Sequence, residues 1–113
     1  FSDAIYATEI IIDGAKIHAQ GRKATYRSRG ICAGITLTMK NGADITTVGG
    51  EGQESYGIWC NYIVIDSCSG TASSIAKSSD STKAAMFVST TSQISGVKLN
   101  GEYSDSSMSW TAE

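Results

Sequence analysis

The amino-acid sequence predicts an all-β chain wound as a short parallel β-helix, a solenoid of about four rungs. Three observations lead there. Glycine (12 residues), Ser and Thr are abundant and proline is absent, while Ile, Val, Thr and Tyr recur in short bursts, the composition of strands punctuated by tight turns. A pattern of small, apolar, mostly aromatic and small residues recurs four times: Ala4-Ile5-Tyr6-Ala7, Gly30-Ile31-Cys32-Ala33, Gly57-Ile58-Trp59-Cys60 and Ala85-Met86-Phe87-Val88. The anchors Ile5, Ile31, Ile58 and Met86 stand 26, 27 and 28 residues apart, room for three short strands and their turns. An antiparallel β-sandwich is the competing fold, but it predicts no such spacing.

Each element of the repeat follows from its residues. The anchor strand alternates, so Ile5, Ile31, Ile58 and Met86 point inward together with Ala7, Ala33, Cys60 and Val88. A second strand follows at Ile10-Ile11-Ile12, Ile35-Thr36-Leu37, Ile63-Val64-Ile65 and Ile94-Ser95-Gly96-Val97. A third follows at Ala15 to Ala19 and at Ala43 to Thr47, and glycine-rich connectors such as Gly49-Gly50-Glu51-Gly52 close the rung. The alanine- and serine-rich stretch from Ser73 to Ala85 is the one place expected to hold a helical turn. Four rungs at a rise of ~4.8 Å give a stub ~20 Å long, whose open ends invite self-association unless capped. The segment ending Met108-Ser109-Trp110 is a candidate cap. Parallel crossover chirality favours a right-handed coil.

Length and charge narrow the function classes. The 113 residues make one domain, residues 1–113, and the opening at Phe1 reads as a piece of a larger protein. A net charge of −2 gives no field to gather nucleic acid, and no apolar run is long enough for a membrane helix. Three cysteines, Cys32, Cys60 and Cys68, leave at least one thiol free in a monomer.

Two candidate sites stand out. Tyr6, Cys32, Trp59 and Phe87 lie between the inward positions and face outward, a ribbon of three aromatic rings and one thiol. Rings in such a ribbon suit the apolar face of sugars in an extended polymer; the alternatives are a covering protein contact or an inverted assignment of faces. Arg22, Lys23, Arg27 and Arg29 form a basic connector with Tyr26 inside it, and guanidinium forks at Arg27 and Arg29 are matched to the carboxylates of an acidic polysaccharide, or else simply solvated. Asp13 and Asp66 are equivalent positions two rungs apart, ~10 Å, with Met39 or Lys40 between them, too far to share one calcium ion. His18 lies between inward Ile17 and Ala19 and is a surface residue. No nucleophile motif, zinc-spaced set or phosphate-cradling loop is present, so no catalytic residue and no resident metal are assigned.

The run Tyr56-Gly57-Ile58-Trp59-Cys60-Asn61-Tyr62-Ile63-Val64-Ile65 resembles the repeat of clostridial-type bacterial surface proteins with β-helix carbohydrate-binding domains. The resemblance covers residues 4–21, 30–50 and 57–72. It implies a secreted or cell-surface module that binds polysaccharide, pectic chains among the possibilities, without catalysis and without membrane insertion. Calcium accompanies such binding in some β-helix relatives, and this chain lacks the acidic ladder that would hold it. A stalk or adhesin segment is the second expectation, and a fragment of a polysaccharide lyase or hydrolase the third.

Overall fold

The computed structural model describes residues 1–90 and 92–113, and among these it contains ten strands and no helix. They run β1 (Ser2–Asp13), β2 (Lys16–Gln20), β3 (Arg27–Lys40), β4 (Asp44–Gly52), β5 (Glu54–Asp66), β6 (Ser69–Ala76), β7 (Thr82–Val88), β8 (Gln93–Ser95), β9 (Val97–Asn100) and β10 (Ser107–Ala112). One sheet stacks β1, β3, β5 and β7 in parallel, with β8 continuing against the far half of β5; the other stacks β2, β4 and β6. The chain is therefore a parallel β-solenoid, and the sandwich is excluded, because antiparallel pairing is confined to β10.

The register reproduces the repeat. Ile5, Ile31, Ile58 and Met86 pair in one column, followed by Ala7, Ala33, Cys60 and Val88. In the second strand the alignment differs from expectation by two residues. Ile10, Leu37 and Ile63 form one column and Ile12, Met39, Ile65 and Ile94 the next, while Ile35 lies exposed at the bend. One residue of that offset comes from the register irregularity between Ala33 and Thr36, where β3 advances three residues while β1 and β5 advance two. From Ile31 through Met86 the inward side chains are almost fully buried and form one continuous core.

The solenoid tapers. On its wide side Ile, Leu and Met fill the gap between the sheets. On its narrow side the gap closes on glycine and serine: Gly49 lies flat on the Tyr56 backbone, where a β-carbon would overlap it. Buried Ser28 holds this edge by accepting from Gly50 N (2.9 Å) and donating to Arg22 O (2.7 Å). Thr47 donates to Gly57 O at 2.7 Å.

The expected helical turn between Ser73 and Ala85 is not there. β6 runs to Ala76, a serine turn closed by Ser81 N to Ser78 O (3.1 Å) follows, and β7 starts at Thr82. Serine hydroxyls compete with helical hydrogen bonds for the same backbone groups, and pairing with the coil beneath decides the outcome.

Only one sheet carries a fourth parallel strand, so about three full turns are made. Where the second sheet would gain its fourth strand, β10 reverses direction, pairs β6 and pairs β9 on its outer edge. Trp110 is 1% exposed and seats over Gly70, where any β-carbon would collide with its ring. Its indole N–H has no oxygen or nitrogen acceptor, the one such buried side-chain atom among the described residues. It rests against the Cys68 sulfur, whose thiol in turn donates to Met39 O (3.5 Å). Replacing Trp110 by Ala should cost about 3–5 kcal/mol in urea unfolding, and Gly70→Ala about 1–3 kcal/mol with a red-shifted tryptophan emission as the ring is displaced.

Candidate functional site

The outer face of the anchor strands collects the aromatic ribbon and two of the four basic residues singled out from the sequence, Arg27 and Arg29. Tyr6, Cys32, Trp59 and Phe87 are in register across β1, β3, β5 and β7. Two further columns run beside them, Asp3–Arg29–Tyr56–Ala84 and Arg27–Glu54–Thr82. Arg27 and Arg29 thus sit within β3, not in a loop, and they flank the aromatic ribbon. Arg22 and Lys23 stay in the exposed connector, apart from this face.

Both guanidiniums are already engaged. Arg29 donates to Asp3 through Nε (2.6 Å) and Nη2 (3.0 Å), and Arg27 donates to Glu54 through Nε (3.2 Å) and Nη2 (3.4 Å). The Arg29 side chain is 7% exposed, so this bidentate pair is a structural one. Burial pulls the Arg29 guanidinium down, and its bonds to Asp3 more than offset that. Burial likewise pushes the Glu54 carboxyl up, yet the Tyr26 and Tyr56 hydroxyls and Arg27 together bring it below the usual carboxylate range. The Tyr56 hydroxyl donates to Glu54 Oε1 (3.0 Å), and burial with that bond pushes the phenol up to about 12.

The rings also use one another. Trp59 and Phe87 stack with centroids 5.4 Å apart and planes 12° from parallel. The Arg29 guanidinium lies 5.1 Å from the Trp59 centroid, so Trp59 is held between a ring and a cation. Tyr56 packs on Phe87 at 5.9 Å, and Arg27 lies over Phe1 (5.4 Å) and Tyr26 (5.6 Å). Outward position did not bring exposure at Cys32: Arg29 and the neighbouring rings close over it, and it is 1% exposed. The rings left open to solvent are Tyr6 at 69% and Phe87 at 41%, with Phe1 and Tyr26 beside them.

Sequence reading missed Asp3, Glu54, Tyr56 and Phe1, and noted Tyr26 only as the aromatic within the basic connector. For the first two the signal was present: Asp3 precedes Arg29 by 26 residues and Arg27 precedes Glu54 by 27, the length of the repeat, so opposite charges were bound to meet. Elsewhere, Asp13, Lys40 and Asp66 alternate in one column, with Asn41 donating to Asp13 (2.9 Å), and His18 is exposed as expected. A shallow depression of about 370 Å³ at the capped end is lined by Leu99, Gly101, Glu102, Tyr103 and Ser104. Burial pushes all three thiols up, Cys60 to about 12, and none is bonded to another.

Two outcomes follow. Asp3→Asn leaves the Arg29 charge buried without a partner and should cost about 3 kcal/mol, whereas the double variant Asp3→Asn, Arg29→Met should recover much of it in chemical denaturation. A carboxyl held low in the folded state stabilises above its unfolded pKa and loses that contribution as pH falls through the folded value. Stability measured below the ordinary carboxylate range, near pH 4.5, should therefore fall less steeply in Glu54→Gln than in the parent.

The solenoid and its aromatic–guanidinium face stand on their own geometry: comparison with known proteins returned no matching family model, no matching curated sequence and no matching solved structure.

Proposed function

We propose that the chain is a non-catalytic binding module whose aromatic–guanidinium face takes an extended polysaccharide, as in secreted or cell-surface bacterial proteins. One observation carries the reading. Tyr6 and Phe87 expose their rings in a single column, bracketing the half-buried Trp59. Solvent-exposed aromatic clusters are unfavourable in water and mark contact surfaces. The two rings sit three strand spacings apart, ~14 Å, a span that several consecutive sugar rings can bridge.

The face is open and not enclosed, which suits a polymer better than a small molecule. Trp59 serves as the support between its two stacking partners, not as a platform. Of the two paired arginines, Arg27 keeps a partly exposed guanidinium at the edge of the face, so an acidic chain would meet donors there without finding free net charge, while Arg29 is sealed into the layer. Catalysis fits poorly. A glycosidase acid needs a raised carboxyl, and the Glu54 carboxyl on this face is held low.

The rival is a structural stalk or adhesin segment, favoured by the same self-stacking that occupies both sides of Trp59. Tryptophan-fluorescence titration with polygalacturonate and with a neutral β-glucan, each with calcium and with chelator, separates the two. Saturable binding by one class, weakened roughly tenfold in Tyr6→Ala and in Phe87→Ala while unfolding midpoints stay put, is the expected result; tenfold corresponds to about 1.4 kcal/mol per ring. Absence of a response from every polysaccharide, or equal binding by both variants, would move the assignment to the structural reading. Appearance of unsaturated or shortened products would make it an enzyme.

A further inference from the structure

We infer that Asn100 is a self-modification site, deamidating through a cyclic imide formed with Gly101, while parallel coiling holds the chain's other two dipeptides of this kind inert. Three dipeptides invite the reaction: Asp13-Gly14, Asn41-Gly42 and Asn100-Gly101. A following glycine has no Cβ to hinder ring closure. In the asparagine case the glycine amide nitrogen gives up its proton to solvent and attacks the side-chain carbonyl carbon. A new C–N bond forms, the bond to the side-chain nitrogen breaks, and ammonia leaves. Water then opens the imide at either carbonyl. The products are aspartate and isoaspartate, the second carrying the main chain through the former side-chain carbon. At Asp-Gly the same imide forms with loss of water, so no step needs a reagent beyond the solvent.

Solvent access does not separate the three, because Asp13, Asn41, Asn100 and the glycines after them are all exposed. Hydrogen bonding does. Gly14 N donates to Lys40 O (3.0 Å) and Gly42 N to Ser67 O (2.8 Å), so each attacking nitrogen is fixed on the next coil. The Asn41 side-chain nitrogen donates to Asp13 Oδ1 (2.9 Å), which ties the two side chains to each other. Just past the corner, Asp44 N donates to Ala15 O (3.0 Å) and Ser69 N to Ala43 O (3.0 Å). Freeing Gly42 therefore means parting neighbouring coils.

Asn100 lacks every one of these restraints. It ends β9, which lies outside the parallel stack and pairs only with β10, and its pairing with Ser109 is the last of that ribbon. Hydrogen-bonded pairs recur at every second residue of an antiparallel ribbon. Glu113 N donates to Gly96 O, so the bonded pairs are Lys98 with Thr111 and Asn100 with Ser109, and Gly101 N points away from β10. Among the described residues neither Gly101 N nor the Asn100 side-chain amide donates a hydrogen bond. The end of a ribbon opens at the least cost, and here it carries the reactive pair. The product sets a new carboxylate between Leu99 and Gly101, both of which line the depression at the capped end beside Glu102, and so makes that depression more acidic with age. What the aromatic–guanidinium face binds has no part in this chemistry.

Peptide mapping by mass spectrometry, with methyl-transfer labelling of isoaspartate, tests the inference on the whole chain aged at mildly alkaline pH in native buffer and in urea. In native buffer Asn100 should convert about tenfold or more faster than Asn41, whose two hydrogen bonds must first break, and Asp13 should stay unchanged. In urea the two asparagines should convert at similar rates, which shows that the fold and not the local sequence sets the difference. Asn100→Gln, whose longer side chain must close a larger ring, should stay unlabelled in native buffer with an unchanged unfolding midpoint. A folded chain in which Asn41 keeps pace with Asn100, or in which neither converts, would overturn the inference. So would a rate difference that persists in urea, or a label that survives in Asn100→Gln.

Discussion

Parallel hydrogen bonding between coils ties strand residues to partners 24 to 29 positions away, so every column of side chains must be compatible with itself. Parallel in-register stacking imposes this constraint, and the other features of the molecule answer it. Apolar columns satisfy it by repetition, as Ile5, Ile31, Ile58 and Met86 do. Charged columns satisfy it by alternation: Asp3 with Arg29, Arg27 with Glu54, Lys16 with Asp44, and Asp13 with Lys40 and Asp66. Like charges stacked one rung apart would repel along the whole column. Glycine columns satisfy it where the sheets close on each other at the narrow side.

Aromatic residues in the outer column obey the same rule in a different way. Rings one rung apart turn their planes towards each other, as Trp59 and Phe87 do, and the surface left for a ligand is what remains after the rings have met. Cys32 breaks the column in the second rung. Arg29 fills the space this small residue leaves, bringing a cation onto Trp59 and sealing the thiol beneath it. A face that reads as a row of four side chains is in the folded protein a packed layer with open rings towards its two edges.

The repeat was legible because its anchors are large, inward and regularly spaced, and that was enough to choose parallel coiling over a sandwich. The bend after Ala33 was not legible, because Ile35 is as apolar as the buried residues around it and only backbone geometry shows that it faces water. Reading along the chain also hid the pairing of Arg27 and Arg29: both looked like part of a solvated basic run, and their carboxylate partners are a full coil away. The serine turn after Ala76 failed for the opposite reason, since local composition favoured a helical turn and stacking on β5 prevailed. The reversal of β10 leaves no local mark at all, apart from the bulk of Trp110 opposite a glycine.

The spacing of coils has a kinetic side. All parallel pairings in this chain join residues 24 to 29 apart, so the first contact between any two rungs must close a loop of that size, at an entropic cost of about 3 kcal/mol before neighbouring bonds compensate. Only the β9–β10 ribbon is local, joining Asn100 to Ser109. Assembly is therefore a sequence of equal steps, each templated by the edge already formed, in a chain whose contact order belongs with the slow folders. The antiparallel ribbon breaks that sequence: β10 takes the edge of β6 that the next parallel strand would have used, and β9 becomes the outer strand of the sheet.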